Sequence, residues 1–356
     1  MRPTRTLFNL FASSLLAAAM GLSAQVATAG TDPKPPPLAS YGADSTQTSV
    51  SGLSSGAFMA VQLQVAWSAS IVGAGVIAGG PYYCAAGNML YTGICMGQVF
   101  GLPPNPYLMA NAAKDFAALK QIDPIAHLAK RRVYVFSGTD DSVVRQPAVD
   151  ATVSLFKLLG VPDSQLKYVN DVPAGHAVIT PIQGNDCSAN EAPYISHCTV
   201  GGSGYDQAGA LLAQIYGPLK PPSAQPTGQV LPFDQRAFAS GATAMADTGY
   251  LYVPKACAAP SKSGAASGAK CRVHVALHGC VQSVESVGRQ FIDEAGYNAW
   301  ADSNRLLVLY PQVNKSTLPF NPQGCWDWWG YTGPGYATKS APQMKAIQAM
   351  VGRLTK

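Results

Sequence analysis

The chain contains 356 residues with a formal net charge of +5, and 12% of them are charged. An average soluble domain has about 25% charged residues, so the composition predicts a weakly charged surface, which suits contact with a hydrophobic material and is also common among secreted proteins. Because the basic residues are scattered singly and form no blocks, the sequence argues against a nucleic-acid-binding protein.

The amino terminus has the features of a secretory signal peptide. Arg2 and Arg5 precede an apolar run over residues 7–22, and residues 27–29 read A-T-A, an A-x-A-like cleavage site. We expect residues 1–29 to be removed and the protein to be secreted, either to the periplasm or to the medium. No later apolar run in the sequence reaches the roughly 18 residues of a membrane span.

The eight cysteines of an exported chain point to disulfides. The sequence has neither C-x-x-C spacing nor zinc-type histidine pairs, so we expect no metal site and no cofactor. Many pairings are possible, and we favour sequential neighbours because most of them close short loops rich in turn residues. These pairs are Cys84–Cys95, Cys187–Cys198, Cys257–Cys271 and Cys280–Cys325.

A proline-rich lead, residues 30–48, precedes residues 49–356, which we expect to form one catalytic domain. Apolar, β-rich runs predict strands near residues 70–80, 132–138, 166–169, 249–254, 271–280 and 306–311. Helical patterns predict helices near residues 57–68, 109–120, 148–159 and 285–304, and a final helix with apolar positions from Met344 to Leu354. This alternation is typical of an α/β fold.

The segment Gly52-Leu53-Ser54-Ser55-Gly56 matches G-x-S-x-G between a predicted strand and a predicted helix. In α/β-hydrolases this motif is a strained turn that exposes a serine hydroxyl at the top of the sheet. A serine hydroxyl becomes a good nucleophile only beside a base that removes its proton. We therefore expect Ser54 to be the nucleophile and the backbone N–H of Ser55 to be one oxyanion donor.

The nucleophile motif occurs early, although hydrolases of this fold place several strands before it. Further strands occur after residue 249, and His278-Gly279 follows one of them. Joining the final helix to the strand before Gly52 would restore the order in which an H-G segment precedes the nucleophile. We therefore predict a circularly permuted α/β-hydrolase fold, and we do not interpret the proline-rich residues 217–233 as an interdomain linker.

The candidate acid follows the predicted strand near residues 132–138, where Asp140 and Asp141 are adjacent. Aspartates are also common in ordinary turns, so the location alone does not assign a role. Asp141 is favoured because it forms G-x-x-D-x-x-V with Gly138 and Val144, a spacing shared by many hydrolases of this fold. Asp140 is the alternative.

The candidate base is one of five histidines. His176 follows a strand in a glycine-flanked loop downstream of the acid, and Ser54, Asp141, His176 is the order of the triad in α/β-hydrolases. The other four histidines have plain structural or surface explanations; they are His127, His197, His274 and His278.

The second oxyanion donor is expected after the strand that ends in A-L-H-G-C. The chain turns there at Gly279, and a disulfide to Cys325 would hold the backbone N–H of Cys280 in place. Cys325 also opens an aromatic cluster, Trp326, Trp328 and Trp329. Such clusters usually belong to a core, but this one lies in a glycine-flanked loop, so we expect it beside the nucleophile, where it would bind an aliphatic acyl chain.

Five segments in order, SGLSSGAFMA, GTDDSVV, PAGHAV, ALHGC and GCWDWWGY, resemble the poly(3-hydroxybutyrate) depolymerases with a type 2 catalytic domain, whose oxyanion segment follows the lipase box. The similarity covers nearly the whole mature chain. It implies a serine esterase that cleaves short-chain polyhydroxyalkanoate to 3-hydroxybutyrate oligomers and monomer. The polyester would be its partner, and we expect a monomer.

Carried over by motif, the resemblance implies the triad Ser54, Asp141 and His176 and an oxyanion hole formed by the amides of Ser55 and Cys280. It also implies that a tryptophan of the cluster contacts substrate, with Trp328 or Trp329 favoured over Trp326. Family members that attack crystalline polymer often carry a separate substrate-binding domain. Either a surface patch of this catalytic domain adsorbs to polymer, or the substrate is amorphous polymer or soluble oligomer.

Two other functions are compatible with the motifs. A secreted feruloyl or acetylxylan esterase would share the chemistry and would act on sugar esters. A non-catalytic polymer-binding protein would use the tryptophan cluster on an inactive hydrolase scaffold, and the intact candidate triad argues against it.

Overall fold

The computed structural model describes residues 34–239, 241–258 and 269–356. The predicted signal peptide, residues 1–29, lies outside the described residues. Pro35–Lys356 form one compact unit, and the assignment of residues 49–356 as a catalytic domain stays a prediction. In the described ranges, no helix has the length and apolar character required to cross a membrane.

Strands and helices alternate along most of the chain. The strands are β1 (Thr48–Leu53), β2 (Ile71–Ile77), β3 (Arg132–Phe136), β4 (Leu166–Val169), β5 (Val178–Thr180), β6 (Ile195–His197), β7 (Thr199–Val200), β8 (Ser203–Gly204), β9 (Gln229–Asp234), β10 (Thr248–Val253), β11 (Arg272–Leu277) and β12 (Leu306–Tyr310). The helices are α1 (Ser55–Ala66), α2 (Thr92–Cys95), α3 (Pro106–Ala118), α4 (Gln146–Leu158), α5 (Gln207–Tyr216), α6 (Val284–Val287), α7 (Gln290–Glu294), α8 (Tyr297–Asn304) and α9 (Pro342–Leu354).

The central sheet has eight strands in the order β4-β3-β2-β1-β11-β12-β10-β9. Neighbours from β4 to β12 are parallel, and β10 is antiparallel to both β12 and β9. Strands β1, β11 and β12 are almost entirely buried. β12 is a continuous apolar run, whereas the polar Ser49 and Ser51 of β1 are buried with hydrogen bonds to His274 of β11. The sheet therefore places β1 and its carboxyl end at the centre of the molecule.

The strand order agrees with the predicted circular permutation. Counting from β9 to β12 and then from β1 to β4 gives the sheet order 1-2-4-3-5-6-7-8. In this count the H-G segment follows the third strand, as it does in α/β-hydrolases. The beginning and the end of the compact unit also meet, because the N–H groups of Tyr41 and Ala43 donate to the carbonyl oxygen of Leu354 at 3.2 and 3.0 Å.

Helix α1 packs against β1 and β11 so closely that the glycines of the motif are required. A Cβ atom on Gly52 would lie 2.3 Å from the carbonyl carbon of Gly56, and one on Gly56 would lie 2.3 Å from the carbonyl oxygen of Leu277. Every residue of α1 is buried. The G-x-S-x-G spacing therefore allows a helix to start directly above the central strands.

Two elements differ from the sequence-based expectation. The predicted helix near residues 285–304 is three short helices, α6, α7 and α8, because Gly288 and Gly296 adopt φ angles of +61° and +87°. The proline-rich residues 217–233 end in β9, which pairs with β10 at the sheet edge. An edge strand tolerates Pro232 because the missing N–H faces no partner strand.

Four disulfides join sequential cysteines, and the pairs are the ones expected from the sequence. They are Cys84–Cys95, Cys187–Cys198, Cys257–Cys271 and Cys280–Cys325. The last bridge joins the segment after β11 to the tryptophan cluster.

Candidate active site

Ser54 occupies the turn between β1 and α1. Its backbone has φ of 57° and ψ of −123°, a strained conformation for a residue other than glycine. The turn is fixed on both sides, because the Ser54 N–H donates to the carbonyl oxygen of Ile77 at 3.0 Å and the Ser54 carbonyl accepts from the N–H of Phe58 at 3.0 Å. The side chain is mostly buried, and the residue is 9% exposed. This is the geometry expected of a nucleophile turn.

Asp141 follows β3, on the same carboxyl edge of the sheet as Ser54. Its Oδ1 accepts hydrogen bonds from the backbone N–H groups of Val143 and Val144 at 2.8 and 2.9 Å. Its Oδ2 lies 2.8 Å from Nδ1 of His176. The neighbouring Asp140 is exposed, so the contact with the histidine is made by Asp141.

His176 lies in the loop after β4 and is buried, as is the Asp141 carboxylate. A carboxylate only accepts hydrogen bonds, so Nδ1 of the ring carries the proton and donates to Asp141. In the neutral ring this leaves Nε2 as the acceptor, which is the tautomer that a general base requires. The ring of Tyr194 packs edge-on against the imidazole, with 5.9 Å between the ring centroids.

Asn190 connects the two loops that carry the candidate acid and base. Its Oδ1 accepts from the backbone N–H groups of His176 and Ser142 at 2.9 and 3.0 Å. Its Nδ2 donates to the carbonyl oxygens of Asp140 and Ser188 at 3.1 and 3.0 Å. The sequence analysis missed this residue, because its only signal is a location inside the Cys187–Cys198 loop.

The two candidate oxyanion donors lie on either side of Ser54. Ser55 is the first residue of α1, where a backbone N–H has no acceptor within the helix. Gly279 abuts the nucleophile turn, since a Cβ atom built on it would lie 3.4 Å from Cβ of Ser54. The backbone N–H of Cys280 donates to none of the described residues. Both N–H groups are therefore free to bind a substrate oxygen.

The three tryptophans of the cluster have different environments. Trp326 is fully buried and lies 5.6 Å from the His278 ring, measured between centroids. Trp328 stacks on Phe58 of α1 with 4.2 Å between the centroids. Trp329 is partly exposed and packs edge-on against Trp328. Trp326 and Trp328 are therefore buried, and Trp329 is the partly exposed member of the cluster, next to the start of α1.

The loop that carries the tryptophans is organised by a buried carboxylate. Asp327 accepts from the N–H groups of Gly330, Tyr331 and Thr332 at 2.7, 3.0 and 2.8 Å, and from the Thr332 hydroxyl at 2.5 Å. Burial raises the pKa of Asp327, and these donors oppose that shift. The loop is therefore a preformed structure.

A cavity of about 220 Å³ opens beside the disulfide Cys280–Cys325. Its lining includes Trp328 and Trp329 together with Met89 and Met96. Apolar side chains dominate this lining, so the cavity suits an aliphatic group. It adjoins the oxyanion segment through Cys280.

The remaining histidines lie away from the Asp141 carboxylate. His127 and His197 are exposed. His274 and His278 are fully buried, and burial lowers the pKa of His274 to about 3 and that of His278 to about 4. Within the described part of the chain, no group of three His, Cys, Asp or Glu side chains is arranged to hold a metal ion.

Comparisons with known proteins agree with this architecture. No family model matches the chain. Over 316 residues it is 44% identical to a poly(3-hydroxybutyrate) depolymerase of Delftia acidovorans, covering 88% of this chain and 60% of the relative. Over 334 residues it is 40% identical to a polyhydroxybutyrate depolymerase of Talaromyces funiculosus, covering 89% of this chain and 92% of the relative.

Two solved structures are also similar to this chain. One is a PHB depolymerase complexed with an R3HB trimer, with a TM-score of 0.78 and 36% identity. The other is the PHB depolymerase of Penicillium funiculosum, with a TM-score of 0.77 and 36% identity. Each comparison covers 90% of this chain and 98% of the other. The α/β-hydrolase fold and the resemblance inferred from five sequence motifs are confirmed, and the chain belongs to the poly(3-hydroxybutyrate) depolymerase family.

Proposed function

We propose that this chain is a secreted serine esterase that hydrolyses poly(3-hydroxybutyrate) or a related short-chain polyhydroxyalkanoate to 3-hydroxybutyrate oligomers and monomer. The observation that carries the proposal is the 2.8 Å hydrogen bond between His176 and Asp141, on the sheet edge where Ser54 occupies its strained turn. The family relationship supports the choice of a polyester as substrate.

In the proposed acylation step, Nε2 of His176 accepts the proton of the Ser54 hydroxyl while Oγ attacks the ester carbonyl carbon. Asp141 keeps the proton on Nδ1 and stabilises the imidazolium that forms. The carbonyl oxygen becomes an oxyanion and binds the N–H groups of Ser55 and Cys280. The bond to the chain alcohol then breaks, and His176 returns the proton to the departing oxygen.

Deacylation repeats the same steps with water in place of serine. His176 accepts a proton from water, the hydroxide attacks the acyl carbon, and the same two N–H groups bind the second oxyanion. The bond to Ser54 Oγ breaks, and Oγ regains its proton from His176. The product is a free 3-hydroxyacid end, and the enzyme returns to its starting state without a cofactor.

The surface around the cavity supports contact with an apolar polymer. Met89, which lines the cavity, is followed by the exposed Leu90, and Phe100 in the same segment is fully exposed. Leu318 and Phe320 are exposed just before the cavity-lining Asn321. Exposed apolar patches of this kind mark interaction sites. We propose that Trp328 and Trp329 bind the acyl chain while these outer residues touch neighbouring polymer.

The decisive measurement is release of 3-hydroxybutyrate from amorphous and from crystalline polymer. We expect release by the mature protein, none by Ser54→Ala, and unchanged release by the matched control Ser203→Ala, which alters an exposed serine in β8. If neither polymer yields product while a nitrophenyl ester or a feruloyl sugar is cleaved, the depolymerase proposal is wrong. Failure of an organophosphate to label Ser54 would instead indicate a non-catalytic polymer-binding protein.

Export and oligomeric state belong to the same proposal. The four disulfides support a mature protein that works in an oxidising compartment, either the periplasm or the medium. We propose a monomer made of one catalytic domain, residues 49–356. Cell fractionation and light scattering of the purified protein test these two points.

A further inference from the structure

The peptide group between Gly279 and Cys280 carries one candidate oxyanion donor. It is trans, because the cis peptide bonds of the described residues precede Pro193 and Pro319. In a trans peptide the C=O and N–H vectors are antiparallel within a rigid plane. Any group that holds the Gly279 carbonyl therefore also fixes the direction of the Cys280 N–H.

The group that holds this carbonyl is the imidazole of His278. Its Nδ1 lies 2.7 Å from the Gly279 oxygen, and its Nε2 accepts the backbone N–H of Val313 at 3.1 Å. Because Nε2 is an acceptor in a neutral ring, Nδ1 must carry the proton and donate it to Gly279. The ring is fully buried, and burial lowers the pKa of His278 to about 4, so the ring stays neutral at neutral pH.

The atoms on both sides of this peptide are also fixed. The Gly279 N–H donates to Oε1 of Gln282 at 2.7 Å, and the amide of Gln282 donates to the carbonyl oxygens of Pro193 and Tyr194 at 2.9 and 3.1 Å. After the peptide, the N–H of Val281 donates to the Gln323 carbonyl at 2.7 Å. These contacts do not restrain rotation of the Gly279–Cys280 peptide plane. The hydrogen bond from His278 restrains that rotation.

We propose that His278 is a positioning residue of the oxyanion hole, which holds the Gly279 carbonyl through Nδ1–H and thereby aims the Cys280 N–H at the ester oxygen bound at Ser54. This inference rests on the proposed function. Gly279 lies close to Ser54, because a Cβ atom built on Gly279 would be 3.4 Å from Cβ of Ser54. The oriented N–H of Cys280 is therefore brought to the reacting carbonyl. The sequence analysis gave His278 no role beyond its place in the H-G segment.

Two substitutions separate the two contacts of the ring. The amide nitrogen of His278→Asn takes the position of Nδ1 and can still donate to Gly279, while the contact with Val313 is lost. The terminal amide of His278→Gln takes the position of Nε2 and can still accept from Val313, while the contact with Gly279 is lost. The matched control is His274→Gln, an equally buried histidine of β11 whose ring contacts the hydroxyls of Ser49 and Ser51.

The readout is kcat and KM on a soluble nitrophenyl ester, with the melting temperature of each variant. In His278→Gln the Cys280 N–H loses its fixed orientation, so kcat should fall by about tenfold or more. KM should stay within about twofold of the value for the unchanged protein. His278→Asn and His274→Gln should keep kcat within about threefold. Equal losses in the two His278 variants, an equal loss in His274→Gln, or a change confined to KM would overturn the proposal.

A second measurement does not depend on activity or on the folding of a variant. Nitrogen-15 NMR of the unchanged protein should find His278 as the neutral tautomer protonated at Nδ1, and a ring protonated at Nε2 would overturn the proposal. If His278→Gln does not unfold cooperatively, only the kinetics of His278→Asn test the proposal. A tenfold loss of kcat in His278→Asn would then overturn it. An unchanged protein that cleaves no ester contradicts the proposed function, while the NMR result still decides the hydrogen bond.

Discussion

The two carboxylate oxygens of Asp141 make different contacts, one with the backbone and one with His176. Oδ1 is occupied by the backbone N–H groups of Val143 and Val144, which fixes the plane of the carboxylate. Oδ2 is left for the imidazole of His176 at 2.8 Å. The orientation of the candidate base is therefore set by the local fold of residues 141–144, in addition to the attraction between the two side chains.

Replacing Asp141 by asparagine tests this arrangement. In Asp141→Asn the new side chain can keep the backbone contacts through its oxygen but presents an amide N–H₂ to Nδ1 of His176, which favours the wrong imidazole tautomer. We expect kcat to fall by about 10³ to 10⁴ with little change in melting temperature. The control is Asp140→Asn, in which the exposed neighbour loses its charge. Comparable losses of kcat in both variants would contradict the assignment of Asp141.

Asn190 is the second residue whose removal is informative, because it forms three hydrogen bonds to the loops of Asp141 and His176 and a fourth to the Ser188 carbonyl of its own loop. At about 1 kcal/mol for each bond, Asn190→Ala should lower the free energy of unfolding by about 2 to 4 kcal/mol. It should also reduce kcat, since the two loops lose their common partner. Urea denaturation and ester kinetics measure both effects, with the exposed Glu191→Ala as control. A stable, fully active Asn190→Ala protein would refute this role.

At the scale of elements, the contact between α1 and β11 leaves no space for a side chain at Gly56. Gly56→Ala would place Cβ 2.3 Å from the Leu277 carbonyl oxygen, so the helix must move. We expect a loss of about 3 kcal/mol or more in the free energy of unfolding, at the upper end of overpacking effects. Gly352→Ala is the matched change, because a Cβ there meets open space in α9.

For Gly352→Ala the expected effect is the opposite, a gain of about 0.5 to 1 kcal/mol from helix propensity. Thermal unfolding of the two variants, followed by circular dichroism, gives the comparison directly. Similar melting temperatures for both would show that α1 can shift without cost.

The order of the elements was predictable because each carries a strong local signal. The apolar runs of β2, β3, β11 and β12 and the glycines around Ser54 can be read without knowledge of tertiary contacts. The region of residues 285–304 was not predicted correctly, because the helical pattern continues across Gly288 and Gly296, and only the structure reveals their positive φ angles. Strand β9 was missed because Pro232 lies within it and because it follows a proline-rich segment.

The candidate site was predictable to a similar degree. Ser54, Asp141 and His176 follow strands, so motif and chain order suffice to propose them. Asn190 and Gln282 could not be found in the same way, because each acts through hydrogen bonds to backbone groups that are distant in sequence. A polar side chain in a loop has no periodicity that would distinguish such a residue from an ordinary surface amide.

For the whole molecule, the fully buried His274 and His278 predict how stability depends on pH. Burial lowers the pKa of His274 to about 3 and that of His278 to about 4. In the unfolded chain both side chains bind protons below about pH 6.5. The unfolded state therefore takes up more protons between about pH 6.5 and pH 4, and the folded state loses stability as the pH falls through this window.

Each histidine should contribute a slope of up to about 1.4 kcal/mol per pH unit, and neither contributes above about pH 6.5. Urea midpoints measured across the window provide the test. The His274→Gln protein should show a shallower dependence than the unchanged protein. Identical slopes would mean that His274 is already protonated in the folded state.

The central place of β1 in the sheet, next to β11, has a consequence for the order of events during synthesis. The central pair Val50 and Val275 is 225 residues apart (275 − 50), so β1 is made long before its neighbour β11. Until then β1 is an unpaired sheet edge in the nascent first half, a surface prone to pairing with other chains. The molecule can complete its sheet only after its second half has been made.

A chain that begins near residue 225 and joins Lys356 to Pro35 would reverse this order. The same pair would then be 97 residues apart (356 − 275, plus 50 − 35, plus one), and each disulfide would stay within its own half. Because refolding slows as contacts become more distant in sequence, this rearranged protein should refold faster from urea with its disulfides intact. Stopped-flow tryptophan fluorescence measures the rates, and equal rates would show that closure of the central sheet does not limit folding. The native chain thus depends on β11, from its second half, to cover β1, from its first half.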